Sequence, residues 1–213
     1  MTENRQSRRE AVSERKRELI LDAARQVFAE EGLDGASLRA IAVRAGYTPA
    51  ALYFHFDSKE AMYAEVLQTS LESLGAEVGS AVSHASSPHQ KLKAAAMSFF
   101  QFYAANPRDL DLGFYLFRGG MKPAGLGQDR DLRLNAALEA ALHPIAEAAV
   151  ELGASRQQGN LLMVDCFAHA AGLLLLLHTG RIRMFGASAP ELMETYVDSR
   201  VEQLGQGLRH ADN

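Results

Sequence analysis

An all-α fold is what this sequence predicts, and three observations predict it. Apolar residues recur at helical spacing along the chain, and no stretch alternates apolar with polar residues over the length of a strand. Alanines and leucines are plentiful while runs of Val, Ile and Thr are few, which favours helices. Hydrophobic residues make up 47% and charged residues 23% of the 213 positions, enough apolar surface for a core of useful size.

Residues 1–12 are polar and rich in Arg, Ser and Gln, and are expected to form a flexible basic arm. A first helix is predicted from Ser13 to Glu31, because Ile20, Ala23, Ala24, Val27 and Phe28 follow i, i+3, i+4, i+7, i+8. Gly32 is its expected cap. Ser37 then caps a second helix carrying Leu38, Ile41, Ala42 and Ala45, which stops at Gly46. Three residues on, Thr48 and Pro49 open a third helix, predicted to reach His55. Two short helices joined by a glycine turn make a helix-turn-helix. Asp57 and Glu60 are spaced as a capping box for a long fourth helix running to about Val82. After the polar break at 83–88, helices are predicted over 89–105, 108–118, 128–152, 155–179 and 189–208. Pro144 is expected to kink or break the seventh. The segment 119–127 reads as a flexible loop.

Charge and cysteine content narrow the function. The net charge of −4 argues against nucleic acid, but its distribution does not. Residues 1–17 hold six basic and three acidic side chains, and residues 1–63 balance ten against ten, so the acidic excess lies further on. The one cysteine, Cys166, excludes an intrachain disulfide and fits a reducing cytoplasm. The first residues lack the apolar core of a signal peptide. The apolar run Ala170–Leu177 is far shorter than the roughly 20 residues that span a bilayer, so a buried helix and no membrane partner are expected.

The stretch Gly46 to Phe56 organises the head. Leu52 and Phe56, four apart, can anchor one face of a short helix, while Tyr53, Phe54 and His55 cannot all point at one core. A helix that buries one edge and displays rings on the other is built to touch a partner, which we read as DNA. The residues from Ile20 to Leu67 resemble the TetR family of bacterial transcriptional regulators. The resemblance is carried by Ile20-Leu21-Asp22-Ala23-Ala24, Phe28, Gly32, Ser37-Leu38-Arg39-Ala40-Ile41-Ala42, Ala45-Gly46-Tyr47-Thr48, Leu52-Tyr53-Phe54-His55-Phe56 and Ser58-Lys59-Glu60. Tyr47 departs from it, since the family usually has a small aliphatic residue there.

The resemblance implies a homodimer, each subunit with a DNA-binding head (residues 13–60) and a helical effector-binding and dimerising body (61–213). By the same resemblance, Thr48, Pro49, Ala50 and Ala51 form the leading edge of a helix in the major groove of operator DNA. Small apolar residues there approach closely and meet thymine methyls. Arg39 is the candidate for guanine readout, against the alternative of a surface charge pair. Tyr53 and His55 are similar to the family's phosphate-contacting pair, although His55 can also be read as a core histidine. Lys59 is expected at another phosphate, with Ser37 and Tyr47 nearby, and Phe54 either meets DNA or packs.

For the body, aromatic and thioether residues suggest a pocket for a small, largely apolar effector. They are Phe99, Phe102, Tyr103, Phe114, Tyr115, Phe117, Met121, Met163 and Phe167, with His143, Cys166 and His169 as polar members, and ordinary core is the alternative for each. Leu173, Leu176, Leu192, Tyr196 and Leu204 are candidates for a dimer seam built as a four-helix bundle. Catalysis by Cys166 with His169 is disfavoured, because a cysteine in so apolar a helix is ordinarily inert. Metal ligation by His143, Asp165 and His169 lacks a recognised spacing. The expectation is therefore a cytoplasmic repressor without cofactor, metal or enzymatic activity. A ligand-independent or partner-controlled regulator is the alternative, and a helical enzyme or carrier with a vestigial head a remoter one.

Overall fold

The computed structural model describes the backbone of residues 2–113 and 126–211, and side chains within 6–113 and 126–204. Nine α-helices and no strand are found among the described residues. They are α1 (Thr2–Gly35), α2 (Leu38–Ala45), α3 (Pro49–Leu52), α4 (Lys59–Ser83), α5 (Pro88–Ala105), α6 (Pro107–Gly113), α7 (Gln128–Glu151), α8 (Arg156–His178) and α9 (Ala189–Ala211). A 3-10 turn, Arg181–Phe185, which the sequence pattern did not announce, lies between α8 and α9.

Several boundaries differ from expectation. Residues 2–12, read as an irregular arm, continue α1 as helix. They contain Arg, Glu, Gln and Ala but no Gly or Pro, so nothing stops a helix propagating outward from its buried turns. The expected stop at Gly32 appears as a kink inside the element (φ 71°), with one further turn to Gly35. The cap of α4 is Ser58, whose Oγ accepts the Ala61 amide at 3.0 Å, rather than Asp57. Pro144 lies inside α7, which runs on through it. Proline removes the bond to the Ala140 carbonyl, and Ala140 is exposed, so water can satisfy that oxygen.

The chain divides into two compact units, with the division inside α4 rather than at residue 60. One takes in the described residues of Met1–Ser70 and Arg108–Leu134. Its core is Ile20, Val27, Phe28, Ile41, Leu52, Met62 and Tyr63, each at most 2% exposed. The Phe28 and Tyr63 rings meet edge to face at 4.8 Å. The Tyr63 hydroxyl, buried with them, donates to the Leu112 carbonyl at 2.8 Å, which ties α6 to this unit.

The other unit is Leu71–Pro107 with Asn135–Asn213, in which α5, α8 and α9 pack on one another. Leu92, Phe100, Ile145, Leu174 and Met193 fill its interior. Ion pairs at the surface join Lys91 to Glu151 at 2.7 Å, and Lys93 to both Glu194 (2.9 Å) and Asp198 (2.8 Å). The hydrogen bond from Asp198, and then that from Glu194, holds the Lys93 ammonium above its ordinary range. Such exposed pairs contribute about 0–1 kcal/mol each, against roughly 1.5–3 kcal/mol for one buried Leu or Phe, so burial decides the stability of this unit.

Helix α8 opens with Ser155 and Gln158 as a reciprocal capping box, Oγ to amide at 3.2 Å and amide to Oε1 at 2.8 Å. One turn in, Gly159 lets α8 approach α7 closely, since a Cβ there would stand 2.8 Å from the Ala146 carbonyl oxygen. The contact is to backbone, so it cannot be relieved by rotating a side chain. Gly159→Ala is expected to lower stability by about 1–3 kcal/mol despite the better helix propensity of alanine. Gly79→Ala, in α4 with nothing within 4 Å of the added methyl, is expected to raise it by up to about 1 kcal/mol. Urea unfolding of both variants checks this, and equal signs would contradict the packing described.

Candidate nucleic-acid interface

The helix-turn-helix is assembled by three caps. Ser37, in extended conformation, accepts the Ala40 amide on its Oγ at 3.1 Å and starts α2. Thr48 starts α3 the same way, with its Oγ1 3.3 Å from the Ala51 amide and Pro49 at the first helical position. Between them Gly46 takes φ 75°, ψ 26°, a left-handed conformation that strains any residue with a Cβ. It directs its own amide to the Val43 carbonyl (3.2 Å) and that of Tyr47 to Ala42 (2.9 Å), which satisfies the end of α2.

Helical bonding in α3 stops at Leu52, three residues short of the expected His55, and Tyr53 to His55 form a turn. The Leu52 carbonyl accepts both the His55 and Phe56 amides, each at 2.9 Å. Leu52 (1% exposed) and Phe56 (4%), one helical turn apart, both enter the core, while Tyr53 (59%) and Phe54 (87%) stand out of it. His55 is half-buried, its ring tilted against Phe56 at 6.5 Å. The leading edge, Thr48, Pro49 and Ala50, is exposed and Ala51 half-buried.

Around this turn the cations have different employments. Arg44 bonds Glu30 at 2.7 Å, linking α2 to α1; that bond holds the Glu30 carboxyl below its ordinary range. Arg17 pairs with Glu65 and lies 5.1 Å over the Phe56 ring. Arg39 is exposed and makes no ion pair with any described residue, and its neighbour Val43 is 74% exposed. Lys59, expected at a phosphate, directs its ammonium to the Ala36 carbonyl at 3.0 Å and is half-buried, so one of its three donors is already engaged.

A groove of about 720 Å³ runs beside the turn, and sequence reasoning missed it. One wall is α1, through Arg8, Arg9, Val12, Ser13, Lys16 and Ile20; the other is Tyr47, Ala51, Phe54 and His55. Among the described residues, Arg8, Arg9 and Lys16 line it and no carboxylate does. The 8, 12, 16, 20 spacing was present in the sequence, but reading residues 1–12 as irregular hid it. Tyr47, the departure noted above, is one of the rings facing this groove.

The body candidates separate into groups. Phe99, Phe102 and Tyr103 are buried in α5, and Met163 and Phe167 half-buried in α8. The Phe99 ring meets Tyr103 at 5.2 Å and Phe167 at 5.7 Å, both edge to face. His143 is on the surface beside Glu147 at 3.6 Å, away from any such grouping. Phe114, Tyr115, Phe117 and Met121 lie outside the described residues. Cys166 is buried, and burial, with Asp165 adding to it, pushes its thiol up to about 12, so it is protonated at neutral pH and a poor nucleophile. His169 stacks on Tyr196 at 3.8 Å, and burial lowers the pKa of its imidazole.

Of the seam candidates, Leu173 is buried within the chain at 7% exposure, because it faces inward on α8. Leu176, Tyr196 and Leu204 are half-buried, and Leu192 is 41% exposed. The outward face of α8 instead carries Leu161 (64%), Val164 (56%) and Leu175 (61%), with Ala168 and Gly172 between. The spacing i, i+3, i+7, i+11, i+14 makes them one stripe. By length and composition α8 is also apolar enough to cross a membrane, with 22% of its most apolar window buried. Its packing on α5 and α9, and the Asp165–Arg200 ion pair at 3.1 Å partway along it, suit a protein neighbour better than hydrocarbon.

Comparison with known proteins gives this geometry a context. Residues 20–66 match the profile of "Bacterial regulatory proteins, tetR family". The HTH-type transcriptional activator FasR of Mycolicibacterium smegmatis is 37% identical over 99 residues, 46% of this chain and 45% of that protein. The HTH-type transcriptional repressor KstR2 of Rhodococcus jostii is 47% identical over 55 residues, 26% and 27% of the two chains. These matches span less than half the length of either relative. Among solved structures, the transcriptional regulator FadR of Bacillus subtilis in complex with stearoyl-CoA superposes with TM-score 0.64 at 17% identity, over 89% of this chain and 97% of that one. A protein of unknown function from Rhodococcus sp. RHA1 gives 0.71 at 22% identity, over 89% and 95%. At these identities the structures attest the fold.

The division of labour at the turn is open to measurement in the isolated protein. Leu52→Ala is expected to cost about 2–5 kcal/mol, the usual range for a buried leucine. Phe54→Ala should cost no more than about 0.5 kcal/mol, because its ring packs on little of the protein. Chemical denaturation reads both, and a Phe54 variant as damaging as the Leu52 variant would show that ring to be structural.

Proposed function

We propose, from the match of residues 20–66 to the TetR family of bacterial regulatory proteins, that the chain is a cytoplasmic, DNA-binding transcriptional repressor. It acts as a homodimer on a palindromic operator and is released by a small, largely apolar molecule. The observation that carries the DNA reading is the turn after α3. It buries Leu52 and Phe56, yet exposes Tyr53 and Phe54 beside a groove lined by Arg8, Arg9 and Lys16. In this reading Tyr53 and His55 meet phosphates and fix register, with Ser37 and the free donors of Lys59 at the flanks. Thr48 to Ala51 present a smooth edge to thymine methyls. Arg39, exposed and without an ion pair among the described residues, reads a guanine from the preceding helix.

The stripe on α8 supports the dimer. Leu161, Val164 and Leu175, with Leu192 of α9, are large apolar side chains held in water by an isolated subunit, and a second copy of the same helices would cover them. Two heads would then sit about 34–36 Å apart, one turn of the duplex. The ring cluster of Phe99, Tyr103 and Phe167 supports an apolar effector. Such a ligand shifts the protein away from the DNA-bound form only by its differential affinity for the two forms. Cys166, the one thiol of the chain, is held protonated, which speaks against its acting as a nucleophile.

Gel-shift titration with duplexes from around its own gene tests the operator claim. A complex no tighter than that with random DNA, and lost as salt rises, would sink it. Arg39→Ala should lose about 1–3 kcal/mol of discrimination at one base pair, while Tyr53→Phe weakens all duplexes alike. For the effector, stearoyl-CoA and a compound library are screened by thermal shift. A compound that stabilises the protein and also dissolves the DNA complex is the expected result. Stabilisation with the complex intact would favour a ligand-independent regulator.

A further inference from the structure

The groove between α1 and the turn after α3 is not accounted for by a recognition helix lying in the major groove. Its α1 wall, Ile20 apart, comes from residues before the segment that matches the family profile, which starts at residue 20. Arg8, Arg9 and Lys16 line it, all on exposed positions of α1. By helical phase Glu10 and Glu14 fall on the far side of α1, so the cations are not neutralised by their own helix. Arg15 and Arg17 are engaged elsewhere, with Glu18 at 2.8 Å and with Glu65. In a chain of net charge −4, three cations of α1 are thus gathered where it faces Tyr47 and Phe54, apart from Arg39 on α2.

We infer that the N-terminal part of α1 is a second DNA-binding element, gripping the sugar–phosphate backbone beside the groove that α3 enters. This rests on the reading of α3 as the DNA-contacting element and adds to it a backbone clamp formed by Arg8, Arg9 and Lys16. Arg9 and Lys16 are seven residues apart, about 10.5 Å along the helix at 1.5 Å per residue. Two long side chains this far apart can reach separate phosphates of one strand, which carries one about every 3.4 Å of duplex axis. Val12 between them adds no charge, and Ser13 offers a hydroxyl donor at the same wall. The clamp contributes affinity without sequence preference, because it meets phosphate rather than base edges.

The test uses the full chain and a duplex that the wild type selects from a random-sequence pool, beside a random duplex of equal length. Affinity is followed by anisotropy between 50 and 200 mM salt. The triple variant Arg8→Gln, Arg9→Gln, Lys16→Gln should bind both duplexes at least about tenfold more weakly. Its slope of log affinity against log salt should be shallower by about 2.7 per subunit, roughly 0.9 for each phosphate no longer neutralised. The preferred sequence should not change. Arg15→Gln, on the same helix but off the groove, should alter the slope far less per charge.

Five results would overturn the clamp. An unchanged slope with selective binding intact would leave α3 as the DNA element and α1 without a part in it. An altered base preference would mean that α1 reads bases. An equal effect of Arg15→Gln would make the contribution one of general charge. Groove-dependent binding to phosphatidylglycerol vesicles, with DNA binding unaffected by the triple variant, would assign the groove to a lipid surface. If the wild type selects no sequence at all, the DNA reading of α3 falls, and the clamp with it. Helical circular dichroism equal to wild type is expected for every variant, since the substituted side chains are solvent-exposed.

Discussion

One carbonyl shapes the head. The Leu52 oxygen accepts two amides, those of His55 and Phe56, and this double acceptance ends α3 and turns the chain within three residues. The Phe56 bond is the ordinary helical one and keeps Leu52 and Phe56 on one face, while the His55 bond tightens the turn and stops the helix there. Leu52 and Phe56 enter the same core and leave the intervening rings outside. Each buried side chain contributes roughly 1.5–3 kcal/mol, which fixes the display of Tyr53 and Phe54 far more firmly than any contact of their own. The arrangement also explains how so short a helix stays in place. Four residues cannot sustain a helix in water, so α3 is held by its Thr48 cap, by the Gly46 turn and by that shared core.

What the sequence made legible followed from how local each signal was. The caps at Ser37 and Thr48 and the buried face of α1 depend on residues three to eight apart, and these were readable. Three errors came from competition at equal local merit. Asp57 and Ser58 are both good caps, and only the packing of α4 selects Ser58. Tyr53 to His55 favour helix or turn about equally until Phe56 finds the core. Pro144 reads as a break unless the exposure of Ala140 is known. The basic residues before Ser13 were read by composition alone, whereas their row on α1 exists only once those residues are helical.

The body was legible as helices but not as surfaces. Periodicity marks which positions are apolar, yet on a helix as uniformly apolar as α8 it cannot say which of several leucines points inward. Leu173 and Leu174 turned out to be core, while Leu161, Val164 and Leu175 face outward. Tertiary neighbours made that choice: α5 and α9 take one side of α8 and leave the other. The polar residues were ambiguous for the same reason. His143 became a surface partner of Glu147, whereas Cys166 and His169 took up positions where burial governs their chemistry.

The Lys93 ammonium, set between Glu194 and Asp198, has a consequence for heredity. Its two acceptors stand one helical turn apart on α9, at nearly equal distances of 2.9 and 2.8 Å. A mutation that removes either carboxylate leaves the amine an acceptor already in place, so α5 stays tethered to α9 through one generation's loss. Redundancy of this kind makes each acidic position individually dispensable, and both positions are free to drift as long as they do not drift together.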